Sequence, residues 1–239
     1  MNLPLVDVFS KSYESWESRN ATTEEVLAGW DPKRPVRTVL NAVVSNAKEA
    51  ADYIAQAGAD NGLANFINDA LQESNSFKVW RKEMPSKTPE ILSAYQKFYP
   101  KCDLNEVSKE IENVGLFLCE GQYLFHGGFW PGGSHFVTDR PLSTTFCPQV
   151  ALSNACHRAK AYDNDRIDLF VLRVESPNTK VFVYKRNGTN FGHENEVLFS
   201  AGAQLTLKSR YLVNDCFLTG KCGMPDKTIS VYVCLVDIS

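Results

Sequence analysis

The sequence has no long apolar stretch. Its 239 residues contain no run of about 18 consecutive apolar side chains, the length that a membrane-spanning helix needs. The N-terminus, MNLPLVDVFSKSYESWESRN, also lacks a basic segment followed by an apolar core, which is the pattern of a secretory signal peptide. We therefore expect a cytoplasmic protein with neither a signal peptide nor a membrane partner.

Metal-binding patterns are also missing. The seven cysteines are odd in number and scattered, no two of them form a C-x-x-C pair, and the four histidines follow no ligand spacing. A disulfide framework and a zinc site are therefore not expected. Reduced thiols and the absence of a metal cofactor fit the pattern best.

The chain lacks an excess of charge of one sign. Its formal net charge is −3, and 44% of its residues are hydrophobic, as in a soluble globular protein with a proper core. A surface that attracts nucleic acid without specificity is not predicted, although a local basic groove remains compatible with these values.

The glycine-rich stretch FHGGFWPGGSHF, residues 125 to 136, matches no phosphate-binding motif. It follows neither the P-loop nor the G-x-G-x-x-G spacing, and the chain has no G-x-S-x-G esterase elbow. Glycines that let a strand end turn sharply are the plain interpretation of this stretch.

Apolar spacing predicts that the first ~110 residues are mostly helical. One helix is predicted from Pro35 to Gly58, because proline near the start and glycine past the end are typical of helix termini. Further helices are predicted at Asn61–Val79, Pro89–Phe98 and Leu104–Asn113.

From Gly115 onward, segments rich in Val, Leu, Phe and Tyr alternate with turn residues and predict strands. One helix, which begins at Pro148, interrupts them. We therefore expect an α+β fold, with a helical N-terminal region over residues 1–114 packed on a β-rich core over residues 115–239 in one compact unit.

Two short motifs in this core carry polar side chains beside predicted strands. Glu194 and Glu196 flank a single residue, and side chains two apart on an extended strand share a face, so two carboxylates would stand together. Such a pair is either screened by solvent or has a catalytic role. Earlier in the chain, Ser143, Thr144 and Thr145 close a strand before a helix, where hydroxyl groups often serve as caps.

Taken in order, LFHGG, LSTTFCPQVAL and HENEVLFSAGAQLTL resemble the R-S-E branch of ADP-ribosyltransferases. In that branch the first strand carries Arg-Gly, the second Ser-Thr-Ser and the third Glu-x-Glu before an apolar strand. The resemblance covers about residues 115 to 238 and implies a split β-sheet core. His126 stands where the branch has arginine, and histidine there resembles the diphtheria-toxin and poly-ADP-ribosylating branch.

The resemblance implies NAD as a co-substrate and gives the motif residues their roles. Glu196 would stabilise the cationic ribose and bind its 2′-hydroxyl, Glu194 would accept a proton from the incoming nucleophile, and Ser143 would orient Glu196. His126 would contact the adenine-side ribose. The residues expected around the nicotinamide are Gly127, Thr144 and Thr145.

The loop YKRNGTNFGH should meet the acceptor, through Phe191, Lys185 and Arg186. The E-x-E motif favours protein arginine as the acceptor, because a carboxylate orients a guanidinium group, and nucleic acid is the second possibility. Such an enzyme would act as a toxin, an effector or a defence enzyme, and an antitoxin or immunity protein would restrain it. A catalytically silent relative that binds NAD or a partner is the remaining alternative.

Overall fold

A computed structural model describes residues 2–185 and 195–239, and it confirms the predicted α+β class. Within these residues the helices are α1 Thr23–Leu27, α2 Ala47–Ala57, α3 Asn61–Glu73, α4 Asn75–Glu83, α5 Glu90–Phe98, α6 Leu104–Val114, α7 Pro148–Cys156 and α8 Lys160–Asn164. The strands are β1 Tyr13–Arg19, β2 Val36–Val44, β3 Tyr123–Gly128, β4 His135–Val137, β5 Leu142–Thr145, β6 Arg166–Val174, β7 Val181–Val183, β8 Glu196–Phe199, β9 Gln204–Thr219 and β10 Lys227–Ile238.

The larger sheet has eight strands in the order β4-β9-β10-β6-β3-β5-β8-β7. Strands β10 and β6 run parallel, and the other neighbours are antiparallel. Strands β3 and β5 pair through one residue pair, Phe125 with Thr145. The sheet is therefore divided into two blocks that meet at this point and diverge beyond it, which is the split that the motifs predict.

The predicted helix from Pro35 to Gly58 is wrong over its first part. Residues 36–44 form strand β2, which pairs with β1 as a two-stranded hairpin. Valine and threonine dominate this segment, and β-branched side chains are stiff in a helix and pack well on a strand. The helix starts only at Ala47, after Asn46 caps the backbone N–H of Glu49, and it ends before Gly58 as predicted.

The predicted helix Asn61–Val79 is two helices, α3 and α4, which meet at Ser74. The backbone of Ser74 is extended, and its hydroxyl accepts a hydrogen bond from the N–H of Phe77, so it caps α4. In a continuous helix this N–H would bond to a backbone carbonyl. Because it bonds to the Ser74 hydroxyl instead, the helix is interrupted at Ser74. The predicted helices Pro89–Phe98 and Leu104–Asn113 are confirmed as α5 and α6.

The helices of the first 114 residues and the larger sheet share one hydrophobic core. Trp80 of α4 is fully buried, its ring packs 5.5 Å from that of Phe146 just before α7, and its indole N–H donates to the carbonyl of Pro4. The N-terminal layer is thereby fixed against the elements that carry the motifs. Among the helices of the described residues, none combines the length and apolar character that crossing a membrane requires.

Candidate active site

Both carboxylate oxygens of Glu196 are fixed by hydrogen bonds. Glu196 opens β8 and is 6% exposed. The Ser143 hydroxyl of β5 donates to Oε1 at 2.6 Å, and the Gln96 amide of α5 donates to Oε2 at 2.8 Å. Hydrogen bonds to an ionised group are stronger than neutral ones, so the carboxylate has one defined position. The contact with Ser143 is the one that the sequence predicts, whereas Gln96 has no sequence signal.

The three hydroxyl residues of β5 do not share a face. Strand β5 pairs with β8 so that Thr145 lies opposite Glu196, which puts Ser143 and Thr145 on the side of the carboxylate. Thr144 lies on the opposite side, is buried, and donates to the carbonyl of Val197 at 2.7 Å. The Thr145 hydroxyl also accepts from the N–H of Cys147, the residue directly before α7. This contact closes a turn before the helix, and α7 itself has no side-chain cap hydrogen bond, so the capping interpretation is wrong for this residue.

His126 bridges the split between the two blocks of the sheet. Its Nδ1 lies 2.7 Å from the carbonyl oxygen of Ser143. Burial lowers the pKa of the His126 imidazole to about 4; the bond to Ser143 opposes this shift, and repulsion from Lys160 and Arg140 adds to it. The ring is therefore neutral near pH 7. Because the carbonyl can only accept, Nδ1 carries the proton and Nε2 is an acceptor.

Gly127 has a structural reason to be glycine. A Cβ atom at this position would lie 1.8 Å from the carbonyl oxygen of Ala151 in α7. The missing side chain therefore lets α7 pack directly on β3. The predicted contact of the Gly127 backbone with nicotinamide stays a prediction.

Two cationic residues near His126, Arg140 and Lys160, were not found from the sequence. A third cation, Arg158, lies near Lys160. Partial desolvation lowers the pKa of the Lys160 amine, and repulsion from Arg158 and Arg140 adds to the shift. The mutual repulsion marks a region of positive potential around Lys160.

The backbone that presents two of these cations is strained. Arg158 and Ala159 both have left-handed conformations, with φ of 57° and 59°. Such a conformation costs a residue with a side chain about 1 kcal/mol or more. The left-handed residues lie between α7 and α8, so Arg158 stands in the connection and Lys160 begins α8.

The centre of the E-x-E motif is not extended. Asn195 has φ of 49°, so the alternation of strand β8 does not continue through it, and the extended backbone assumed at this residue is not present. The shared face of Glu194 and Glu196 stays a prediction. The Asn195 amide is buried and donates to Oδ1 of Asn68 in α3 at 2.7 Å. Glu194, Phe191 and Arg186, which the sequence assigns to the acceptor side, lie outside the described residues.

Lys185 is described at the end of the chain segment that follows β7. Its ammonium group donates to the carbonyl of Ser86 at 2.5 Å, and the guanidinium of Arg81 donates to the neighbouring carbonyl of Tyr184 at 2.7 Å. The predicted recognition residue is therefore tied to the N-terminal helical layer.

The helical layer also supplies a wall beside Glu196. The Tyr184 hydroxyl donates to the carbonyl of Leu92 in α5 at 2.9 Å, and Tyr95 of the same helix is buried. Burial raises the pKa of both tyrosines, and the negative charge of Glu196 raises each further. Both tyrosines therefore stay protonated near pH 7. In residues 2–185 and 195–239, no three His, Cys, Asp or Glu side chains are grouped so that they could hold a metal ion.

No family model matches the chain, and no curated protein matches it. Solved structures are similar to it at low identity. The enzymatic component C2-I of the C2-toxin from Clostridium botulinum is 11% identical with a TM-score of 0.38, over 66% of this chain and 45% of that one. An ADP-ribosylating toxin, BECa of a C. perfringens binary enterotoxin, solved with NADH, is 11% identical with a TM-score of 0.40, over 68% and 46%.

Two structures of the ADP-ribosyltransferase Vis are also similar to this chain, at 15% identity or less, and one of them is a complex with agmatine. The agmatine complex is 11% identical with a TM-score of 0.35, over 92% of this chain and 87% of that one. The chain spans less than half the length of the C2-I and BECa structures. Identities and TM-scores this low do not transfer the roles of individual residues. We therefore infer these roles from the contacts of this chain's own side chains.

Proposed function

We propose that this chain is an NAD-dependent ADP-ribosyltransferase that acts on a macromolecule. The observation that carries the proposal is the buried Glu196 carboxylate, which Ser143 and Gln96 hold from two sides at the split of the sheet. Cleavage of the bond between ribose and nicotinamide builds positive charge on the ribose, and a carboxylate fixed beside it stabilises that charge. Because the carboxylate is held before the reaction, little reorganisation is needed as the charge develops.

The neutral imidazole of His126 is suited to bind a ribose hydroxyl. Its Nε2 accepts a hydrogen bond, which a ribose hydroxyl of NAD would donate. The cations Arg140, Arg158 and Lys160 would meet the pyrophosphate, since phosphate oxygens bind lysine and arginine strongly. Thr145, on the same strand face as Glu196, would border the nicotinamide. These residues give NAD one orientation, with its ribose against Glu196.

The nucleophile must lose a proton when it attacks the ribose, and we propose Glu194 as the group that accepts it. Two acceptor classes follow from the sequence. Protein arginine fits the E-x-E motif, and nucleic acid fits the basic residues of the neighbouring loop. With either acceptor, the reaction would be that of a toxin, an effector or a defence enzyme, and an antitoxin or immunity protein would be needed in a cell that the activity harms.

A direct test is the release of nicotinamide from NAD by the purified protein, followed by chromatography. The proposed enzyme should release nicotinamide slowly without an acceptor and faster with a mixed pool of protein and RNA. Calorimetric titration with NAD serves as the second measurement. NAD binding without nicotinamide release would contradict the transferase and support the catalytically silent alternative.

A further inference from the structure

A fully buried carboxylate, that of Asp168, lies on the strand that pairs with the strand of His126. Asp168 belongs to β6 and is 0% exposed. Its Oδ2 accepts hydrogen bonds from the backbone N–H of Trp130 at 2.8 Å and from Nε of Arg166 at 3.3 Å, and its Oδ1 accepts from Nε of Arg210 at 2.8 Å. A buried carboxylate needs such donors, so these contacts define its position.

Together, Asp168 and Arg166 hold both backbone groups of Trp130. Asp168 accepts from the N–H, and the guanidinium of Arg166 donates to the carbonyl at 3.2 Å. Trp130 lies two residues beyond the end of β3, and its indole N–H donates to the carbonyl of Gly133 at 2.8 Å. The ion pair thus fixes the turn that directly follows β3.

This turn packs toward His126 through two aromatic rings. The ring of Trp130 lies 5.7 Å from that of Phe170, and the ring of Phe170 lies 5.3 Å from the imidazole of His126. The pairing of β3 with β6 follows the same path, because His126 lies opposite Phe170 and Gly128 lies opposite Asp168. The carboxylate is therefore connected to the imidazole by the strand ladder and by ring packing.

The backbone of Gly128 lies next to Nε2 of His126. A Cβ atom at this glycine would stand 2.8 Å from that nitrogen. On the other side of the ring, Nδ1 is held by the carbonyl of Ser143 at 2.7 Å. The orientation of Nε2 therefore depends on where the end of β3 lies, and Asp168 fixes that end.

We infer that Asp168 is a positioning residue for NAD, because it fixes the end of β3 and thereby directs Nε2 of His126 toward a ribose hydroxyl. The inference rests on the proposed NAD-dependent function. A group that is oriented before binding avoids the cost of being ordered by the ligand. The effect should appear in the binding of NAD and not in bond cleavage, since Ser143 and Gln96 hold the Glu196 carboxylate separately.

The test compares two buried ion pairs in the full-length protein. Asp168→Asn keeps the shape of the side chain and removes its charge. Asp237→Asn is the matched control, because Asp237 is also buried and pairs with Lys208 at 2.8 Å, but it lies opposite Arg173, at the other end of β6. Arg166→Met and Lys208→Met repeat the comparison on the partially exposed partners, in case Asp168→Asn does not fold.

For each variant, kcat and KM of nicotinamide release, the NAD Kd and the free energy of unfolding are measured. Both aspartate variants should lose stability. Asp168→Asn should raise the KM and the Kd about tenfold, the size of one lost hydrogen bond to the ligand, with kcat within about threefold. Asp237→Asn should leave all three constants within about twofold, since its ion pair is distant from His126. Arg166→Met should raise the KM, and Lys208→Met should not.

A second readout needs no NAD. The imidazole ¹⁵N signals of His126 are identified by their absence in His126→Gln. They should shift or broaden in Asp168→Asn and stay as in the wild type in Asp237→Asn, because only the first change releases the end of β3.

Equal changes of KM in Asp168→Asn and Asp237→Asn would overturn the inference, since Asp168 would then only stabilise the fold. A lower kcat with an unchanged KM in Asp168→Asn, or unchanged His126 signals, would overturn it as well. A wild type that neither binds NAD nor releases nicotinamide would contradict the proposed function, whereas the His126 signals would still decide whether Asp168 positions this ring.

Discussion

The two sides of the Glu196 carboxylate are built from different kinds of structure. On one side Ser143 approaches from the neighbouring strand, 53 residues away in sequence, within a regular antiparallel ladder. On the other side Gln96 approaches from helix α5 of the N-terminal layer, 100 residues away. The strand side follows from the register of two short strands, whereas the helix side exists only because the whole N-terminal layer packs against the sheet.

This difference teaches that the N-terminal layer belongs to the site. Helix α5 contributes Gln96 and packs its Tyr95 ring near the carboxylate, and α3 holds Asn195 through Asn68. A core reduced to residues 115–239 would keep the three motifs but lose the contacts that fix Oε2 of Glu196 and the residue before it.

Among changes that leave the Glu196 carboxylate in place, the largest effect should come from removing either of its two contacts. Gln96→Leu and Ser143→Ala should each lower the kcat of nicotinamide release about tenfold to a hundredfold, because a hydrogen bond to a charged group contributes about 1.5–3 kcal/mol. Lys97→Ala, the next and exposed residue of α5, is the control and should behave as the wild type.

The double variant, Gln96→Leu with Ser143→Ala, tests whether the strand side and the helix side act on the carboxylate together. If both bonds hold the same carboxylate in one position, their losses should not add, and the double variant should be less impaired than the product of the single effects. A Gln96→Leu variant as active as Lys97→Ala would show that the helix side has no part in the reaction.

A smaller effect is expected at the strained connection between α7 and α8. Arg158→Gly relieves the left-handed backbone and removes a cation, so it should raise the KM for NAD about fivefold to tenfold through the loss of a charged contact with phosphate. Ala159→Gly relieves the same kind of strain and keeps every charge, so its KM should not change. Steady-state kinetics at varied NAD concentration gives both values.

Ala159→Gly should also raise the free energy of unfolding by about 1 kcal/mol, because glycine adopts the left-handed conformation without a steric penalty. Urea denaturation followed by fluorescence measures this change. A higher KM in Ala159→Gly would mean that the backbone geometry, and not the charge of Arg158, governs the binding of NAD.

The pH dependence of stability should report on the neutral His126. Its pKa is lowered to about 4 in the folded protein, below the usual 6.5, so between these values the unfolded chain binds the proton more readily. The contribution of His126 to stability is therefore complete above about pH 6.5 and declines as the pH falls toward 4. In His126→Gln, the difference in Tm between pH 7.5 and pH 5 should be smaller than in the wild type. An unchanged difference would contradict a neutral His126 imidazole in the folded protein.

The sequence predicts the strand side of the site better than the rest. The contact of Ser143 with Glu196 was implied by the resemblance of the motifs to the R-S-E branch, and the pairing of β5 with β8 brings it about. In contrast, valines three and four residues apart in 36–44 fit a helix and a strand equally well, and the β-branched side chains decided for the strand. Gln96 could not be predicted, since tertiary packing of the N-terminal layer brings it to the site.

The backbone of the residue before Glu196 differs from the sequence expectation for a local reason. The expectation assumed an extended chain, but asparagine tolerates a left-handed backbone better than most residues, and Asn195 adopts it. The sequence therefore predicted the contact of Ser143 with Glu196, and it misjudged the conformation of Asn195.

The most direct test of the central claim is the rate of nicotinamide release by Glu196→Gln at saturating NAD, with the NAD Kd measured in parallel. The amide keeps the shape of the side chain and removes the charge that would stabilise the cationic ribose. The account predicts a rate about 100-fold or more below that of the wild type with a Kd within about threefold. A rate close to that of the wild type would contradict the claim that this carboxylate drives the cleavage of NAD.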